Sequence, residues 1–549
     1  MNISKKKCDY MRLKAKKLGI SARGHNVCLM NSDEAKGLNI KNSDRVFIKK
    51  GSKNVFAVVD VTNTHHFLKQ GEIGLFDEVS NILSLKHGAI VDVDVAEKPF
   101  SLELVKKKLA GIDLSDSDMY SLVHDIMFSG LSEVEIAHFI SGCYSIGLSN
   151  SEIISLINSF VNTGSILKFD KYPLINLQIE GSYSHSLMFA VASVISSLKI
   201  GFLGLIDRNS DIPGSSYSIF DSFGMKVSSI QENDVFLKRL SCSFLDFESA
   251  GVVPVVSKIE RLEHPISAFS DGIKTASILS FGKAISASIN VICLFFGVGR
   301  SIPDIRKARF LKKLIERTSR KLKLKSLVIL IDGNYPVERS SGPLLEAHDI
   351  LMALQCEDSC EAFTDLIADV SGKIIDSVQK GNGKKLALEI INSGQAFDQL
   401  KKIVNLHHGK FVFDELQKVP TKYELRSKKN GFVSYIDILK LNSCAVICGA
   451  PFDKYSGVHF HKSKHDRIIA GDKLLTLYSS NKKALEIAKV KPSQAVMVGD
   501  NPHRDIMPAN QLGMKTVWLR RGKRYYFPCV GKEVPNYKIK NFLELMDIF

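Results

Sequence analysis

Ile331-Asp-Gly-Asn-Tyr-Pro-Val-Glu-Arg-Ser-Ser-Gly-Pro-Leu-Leu-Glu-Ala-His-Asp349 links an apolar run, Ser326-Leu-Val-Ile-Leu-Ile331, to a loop marked by Gly333, Pro336, Gly342 and Pro343. Periodic apolar spacing over residues 344–354 follows. A short apolar run bounded by Gly and Pro and followed by 3.6-residue periodicity reads as strand, turn and buried helix. The same alternation runs upstream, with apolar strands predicted at 200–206, 250–256, 289–296 and 327–331 between helical segments. Strands alternating with helices across 172–412 predict a mixed or largely parallel α/β sheet.

Other segments surround this lobe. Residues 46–48, 55–60 and 90–95 show strand alternation, so 1–97 is expected to be a β-rich domain. From 98 to 171 the pattern is helical, and Ser132 followed by Glu135 fits a capping box, which predicts an all-helical lobe. A C-terminal α+β domain over 413–488, with a strand at 431–436, and a partial Rossmann-like tail over 489–549 complete a multidomain α/β chain.

With 549 residues, 45% hydrophobic and 24% charged, the composition is that of a globular protein of several domains. The basic amino terminus (Lys5, Lys6, Lys7, Arg12, Lys14) is not followed by the apolar core of about 7 to 15 residues that a secretory signal needs. No window approaches the roughly 20 apolar residues of a membrane span, so no membrane partner is expected. Ten cysteines without a dense framework suit a reducing cytoplasm. Cys356/Cys360 and Cys444/Cys448 lack the spacing of a zinc site and read as structural. The net charge of +16 peaks between Arg306 and Lys325, where Phe310, Leu311, Leu314 and Ile315 interleave the basic residues. That pattern is a solvated helix face rather than a nucleic-acid patch.

The opening stretch resembles the Asp-Gly-Asn-x-Pro and Gly-Pro-x-Leu-Glu-Ala elements of the pyrimidine nucleoside and archaeal AMP phosphorylases. Ser393-Gly-Gln-Ala-Phe397 resembles that family's Ser-Gly-Lys-Ala-Tyr, and Gly449-Ala-Pro, Gly457-Val, His461-Lys and Gly471-Asp resemble its carboxy-terminal pattern. Residues 151–164, ending in Asn-Thr-Gly, look like its inter-lobe helix. The resemblance runs from about residue 8 to about 485 and is to the archaeal type, because of the additional amino-terminal β domain. It implies a pentosyltransferase of nucleotide salvage, converting AMP and phosphate to adenine and ribose 1,5-bisphosphate. By the same resemblance the chain is a homo-oligomer, needs no metal at the chemical step, and takes nucleotide or nucleoside with phosphate as co-substrate in a cleft between lobes.

The residues that would do this chemistry are depleted. Phosphorolysis needs a seat for the phosphate, an acid for the leaving base, and anchors for sugar and base. The family's Gly-rich, Lys-bearing phosphate loop, where backbone N–H groups at a helix start meet the anion, matches 178–187. There only Gly181 remains among the glycines, Leu187 replaces the lysine, and Glu180 brings a like charge. In the next segment Arg208 is kept and Ser216 can stand for a threonine, while the Gly-Thr pair is shifted or replaced. Phe269 takes the place of the family's general acid, and Asp271 is the candidate substitute after a small backbone shift. Ser277 matches a family serine, and Arg300 is a candidate for an expected lysine. For Arg208, Ser277 and Arg300 the plainer reading is a surface arginine or a solvent-facing serine.

Residues 495–522 look like the second half of a haloacid dehalogenase superfamily phosphatase, in which Asp500 and Asp505 would hold Mg²⁺. The nucleophile motif, Asp-x-Asp after a strand, is absent; Phe413-Asp414 is the nearest stretch. The sequence thus leaves three readings: an AMP or nucleoside phosphorylase with a degenerate site, an inactive nucleotide-binding or scaffold relative, and a Mg²⁺-dependent phosphatase acting through the tail.

Overall fold

A computed structural model of the chain describes residues 10–480 except 23–25, 65–66, 97–98, 129, 171, 183, 264–269, 299, 380 and 411–420; beyond 480 it describes 496–499, 502, 506–511, 514–519, 531 and 534–539. The amino-terminal strands β1 (Met11–Lys17), β2 (Val27–Asn31), β3 (Arg45–Lys50), β4 (Lys53–Thr62), β5 (Glu72–Leu75) and β6 (Ile90–Val95) close into a barrel in the order β1-β5-β2-β4-β3-β6. Alternate residues such as Val46, Ile48, Val91 and Val93 fill its interior, as the period-2 pattern requires. Two short helices, α1 (Ser32–Gly37) and α2 (Asp77–Ile82), lie between its strands in sequence.

Helices α3 (Ser101–Leu109), α4 (Asp116–Met127), α5 (Glu133–Ile146) and α6 (Asn150–Val161) follow. Capping boxes start α4, α5 and α6, including the Ser132–Glu135 pair that the sequence marked. This bundle is pinned by a buried ion pair. Lys108 Nζ lies 2.9 Å from both carboxyl oxygens of Glu152, with the side chains 1% and 0% exposed. Glu152 also accepts the N–H groups of Leu114 and Ser149.

The large lobe is built on a parallel five-stranded sheet of β7 (Leu174–Glu180), β8 (Gly201–Ile206), β9 (Cys242–Asp246), β10 (Ile289–Phe296) and β11 (Ser326–Asp332), ordered β11-β10-β7-β8-β9. Its strands are apolar throughout because both faces are covered. Within β10, Val291, Cys293 and Phe295 pack into one core while Ile292 and Leu294 pack into the other. The lobe's helices are α7 (Ser186–Ser197), α8 (Ser216–Ser222), α9 (Ile230–Leu240), α10 (Pro254–Glu263), α11 (Asp271–Ala284), α12 (Ile305–Lys321), α13 (Pro343–Leu354), α14 (Glu361–Val378), α15 (Gly383–Asn392) and α16 (Gln395–Leu406). In α12, Ala308, Leu311 and Ile315 are buried, and Phe310 is exposed beneath Lys307.

Two expected strands are corrected. Residues 250–256 form a turn and the start of α10 rather than a strand, and the strand of that unit lies earlier, at β9. A short apolar run does not separate strand from helix, and Pro254 at the first helical position tips it towards the helix. Of 431–436 only β14 (Gly431–Phe432) pairs, with β16 (Arg467–Ile468). In the C-terminal domain β12 (Ser340–Ser341), from the opening loop, joins β15 (Gly457–Phe460), β17 (Lys473–Ser479) and β13 (Thr421–Arg426) in one antiparallel sheet beside α17 (Ile438–Cys448). In the tail, β18 (Val496–Gly499), β19 (Lys515–Leu519) and β20 (Tyr537–Ile539) form a parallel sheet next to α18 (Met507–Gln511). Among the described residues no disulfide links the cysteines, no cluster of His, Cys, Asp and Glu could hold a metal, and no helix is long and apolar enough to cross a membrane.

Removing one partner of a buried ion pair leaves an uncompensated charge. Lys108→Met is therefore expected to lower the unfolding free energy by about 3 to 5 kcal/mol, measured by urea titration. Lys106→Met, whose partner Glu103 is exposed, is expected to change it by under about 1 kcal/mol. Equal, small effects would contradict the structural weight assigned to Lys108.

Candidate functional site

The site forms where parallel strands end and the following helices begin, the place where open α/β sheets expose backbone N–H groups to a ligand. After β7 the chain turns at Gly181, whose φ of +74° belongs to the left-handed region and whose Cβ would sit 2.3 Å from the carbonyl oxygen of Phe295. This accounts for the one glycine kept there. Arg300 fixes the turn from across the sheet: its Nε donates to the Gly333 carbonyl at 2.7 Å and its Nη1 to the Gly181 carbonyl at 2.8 Å. Arg300 thus ties the loop after β7 to the loop after β11.

The start of α7, where the resemblance implies a phosphate, faces acids from this chain. Ser184 Oγ donates to Glu346 Oε2 at 2.5 Å and Ser186 Oγ to Glu338 Oε1 at 2.8 Å. Glu346 Oε1 accepts the Gly342 N–H at 3.0 Å, so Glu346 caps the start of its own helix α13 while it receives the α7 loop. Gly214 completes the enclosure, because a Cβ there would lie 2.1 Å from Glu346 Oε2. Burial pushes the Glu346 carboxyl well above the usual carboxylate range, opposed by the Ser184 and Gly342 hydrogen bonds and reinforced by nearby Glu338 and Asp349. Burial likewise lowers His185, the residue preceding α7.

Glu180, which the sequence placed beside the phosphate as a like charge, is 3.4 Å from Lys274 Nζ, and that ammonium also reaches Ser301 Oγ at 3.3 Å. Lys274 escaped the sequence reading because it lies within α11, one turn before Ser277, and no motif marks it. Arg208 is drawn elsewhere, with Nε 3.1 Å from Asp246 and the guanidinium over the Tyr217 ring. Ser216 Oγ accepts the Asp207 N–H at 3.0 Å and so shapes the turn after β8, while Ser215 caps α8. Ser277 is buried with no hydrogen-bond partner for its hydroxyl among the described residues. Asp271 opens α11 and is paired with Lys307 Nζ at 2.6 Å. Phe269, Asp500 and Asp505 lie outside the described residues.

Gly181 and Arg300 are therefore brought together, Arg208 and Ser216 stabilise the neighbouring turn, and the acids were missed. Glu338, Glu346, Ser184 and Arg300 line one small cleft, partly open to solvent, with Asn442 and Phe460 of the C-terminal domain. The domain closes on the lobe through two glycines. A Cβ on Gly342 (φ +137°) would lie 2.5 Å from the Ser456 carbonyl oxygen, and one on Gly457 would lie 2.4 Å from that of Ser341.

Comparison with known proteins supports the resemblance. Residues 102–164 match the model described as the helical bundle domain of the glycosyl transferase family, and residues 479–534 match a HAD-hydrolase-like model. The chain is 26% identical over 502 residues to the AMP phosphorylase of Thermofilum pendens, covering 90% of this chain and 97% of that one. Against AMP phosphorylase 1 of Archaeoglobus fulgidus it is 27% identical over 476 residues, covering 85% and 94%. Against the AMP phosphorylase of Methanospirillum hungatei JF-1 it is 26% identical over 496 residues, covering 89% and 96%. A solved anthranilate phosphoribosyltransferase from Thermus thermophilus superposes with a TM-score of 0.46 at 16% identity, over 56% of this chain and 99% of that one. The chain is thus similar to AMP phosphorylases along most of its length.

One acid beside the cleft gives a pH signature. Asp349 is buried, accepting the Arg339 N–H at 2.9 Å and the Ser340 hydroxyl at 3.2 Å, and burial pushes its carboxyl up to about 7. Between the unfolded value near 3.8 and about 7, the folded chain keeps a proton that the unfolded chain has lost. Its contribution to stability is therefore full below that window, falls as pH rises through it, and is flat above. The stability of the parent relative to Asp349→Asn should fall across the window by up to about 1.4 kcal/mol per pH unit, measured by denaturant titration. A difference independent of pH would show that Asp349 is ionised in the fold.

Proposed function

We propose that this chain keeps the architecture of the AMP phosphorylases it resembles and does not perform phosphorolysis, acting instead as a ligand-binding scaffold or regulatory relative. The observation that carries this is the pair of contacts from Ser184 to Glu346 and from Ser186 to Glu338 at the start of α7. A helix N-terminus attracts an anion through its unpaired N–H groups and its dipole, and here the nearby hydroxyls already donate to the chain's own acids. An incoming phosphate would have to displace two side chains, one of them buried and enclosed by Gly214. The candidate acid Asp271 is engaged by Lys307, and loss of a general acid alone costs about 10²- to 10⁴-fold in rate. On this reading the protein is a cytoplasmic homo-oligomer that needs no metal at this site.

A second reading, active phosphorolysis of AMP, is supported by the names of the relatives and by Lys274, which supplies a positive charge beside Glu180. For the tail, the HAD-hydrolase-like match supports a Mg²⁺ site at Asp500 and Asp505, although a paired-Asp nucleophile motif is missing from the sequence.

The test is adenine release from AMP, with and without phosphate, at high protein concentration. No phosphate-dependent release above the uncatalysed rate is expected from the folded protein. Phosphate-dependent release that is lost in Lys274→Ala would overturn the proposal and favour the second reading.

A further inference from the structure

The apolar residues interleaved in α12 account for its buried side, where Ala308, Leu311 and Ile315 join the core, and leave open what neutralises its exposed side. At about 100° per residue, Arg306, Arg309, Lys313, Arg317, Arg320 and Lys321 fall within an arc of about 120° and extend for about 22 Å along the axis. All six side chains are exposed, on the side of the helix opposite its buried residues. The helix's single acid, Glu316, stands outside the arc and lies 3.7 Å from Lys312. Of the acids at the head of the helix, Asp271 is 2.6 Å from Lys307 Nζ, and Asp304 accepts the Lys307 N–H at 2.8 Å. Among the described residues none of the six cations is in an ion pair; Arg320 donates to the Glu316 carbonyl of its own helix at 3.3 Å. Phe310 stands within the same arc, 54% exposed.

We propose that this stripe binds single-stranded RNA without regard to its sequence, a partner that the amino-acid pattern alone did not suggest. Like charges held in a row repel one another, and a polyanion laid along them relieves that repulsion and releases its own counterions. Four of the six cations are arginines, whose planar fork matches phosphate oxygens. The row is one helix wide and so fits one line of phosphates. A membrane presents a plane of charge, and the apolar side of α12 is in the core, where it cannot insert into lipid. Phe310 offers its ring to an unpaired base, whereas a duplex keeps its bases stacked inside. RNA is the single-stranded polyanion that cells hold in abundance, which decides between RNA and DNA. This inference is independent of the reading of the α7 site.

The experiment is fluorescence anisotropy of a labelled oligouridylate of about 15 nucleotides, titrated with the full chain between about 50 and 200 mM salt. The logarithm of the association constant is expected to fall against log salt with a slope of about −4, as six contacted phosphates on a single strand give. Reversing three charges, with Arg309→Glu, Lys313→Glu and Arg317→Glu together, should weaken binding by at least about tenfold and flatten the slope to about −2. Should that variant misfold by circular dichroism, the three glutamine substitutions are read instead, with the same direction. Phe310→Ala should weaken binding by about tenfold. Reversing three exposed lysines of the amino-terminal barrel, Lys41, Lys69 and Lys86, makes the same change in net charge and should leave most of the affinity. The proposal is overturned if the oligouridylate does not bind at the lowest salt, or if the barrel variant loses as much affinity as the α12 variant. It is also overturned if duplex DNA, phosphatidylserine vesicles or polyglutamate compete for α12 more strongly than the single strand.

Discussion

A carboxyl group placed in a protein interior must be hydrogen-bonded or paired, and Glu346 meets that requirement with backbone and hydroxyl donors from two separate segments. Ser184 from the loop after β7 and the Gly342 N–H at the head of α13 converge on it, and Gly214 from the loop after β8 leaves it room because that residue has no side chain. The geometry of the site depends on this one group. It fixes how the α7 loop approaches α13, and through Gly342 it fixes where the C-terminal domain's Ser456 and Gly457 can touch the lobe. Burial pushes the Glu346 carboxyl above the usual carboxylate range, and the hydrogen bonds from Ser184 and Gly342 oppose that shift.

The same contacts explain why architecture and chemistry separate in this chain. At Gly342 and Gly457 two backbones approach too closely for any Cβ. Nothing comparable constrains Leu187, whose side chain is buried among the helices over the sheet and serves packing. The fold needs the glycines at the domain contact and Gly181 at the turn after β7; it does not need a lysine at the start of α7. The overall charge of +16 is carried elsewhere, as along α12, whose apolar stripe of Ala308, Leu311 and Ile315 faces the core.

Much of the fold was legible in the sequence because local rules determine it. The strand, turn and helix from Ser326 to Leu354 carry their own Gly and Pro signals, and Ser132 with Glu135 marks a helix start that the structure contains. The run at 250–256 misled because apolar content without periodicity fits strand and helix alike, and Val253 with φ +48° ends any extended reading. The site was legible only in part. Gly181 and Arg300 were singled out and do meet, but Arg208 is taken up by Asp246. Ser184 and Glu346 are 162 residues apart, and Asn442 meets Ser341 across 101. Contacts of that range leave no spacing to read, and Lys274 inside a buried helix leaves none either.

The most direct measurement of the central claim is inorganic phosphate binding to the full chain, followed by amide chemical shifts at the start of α7 in a selectively labelled sample. If the acids close the anion seat, phosphate at millimolar concentration leaves the amides of residues 184–187 unshifted, and Glu338→Gln makes them respond. Saturable shifts of those amides in the unsubstituted protein would show that phosphate seats there despite Glu338 and Glu346, and would contradict the closed anion seat.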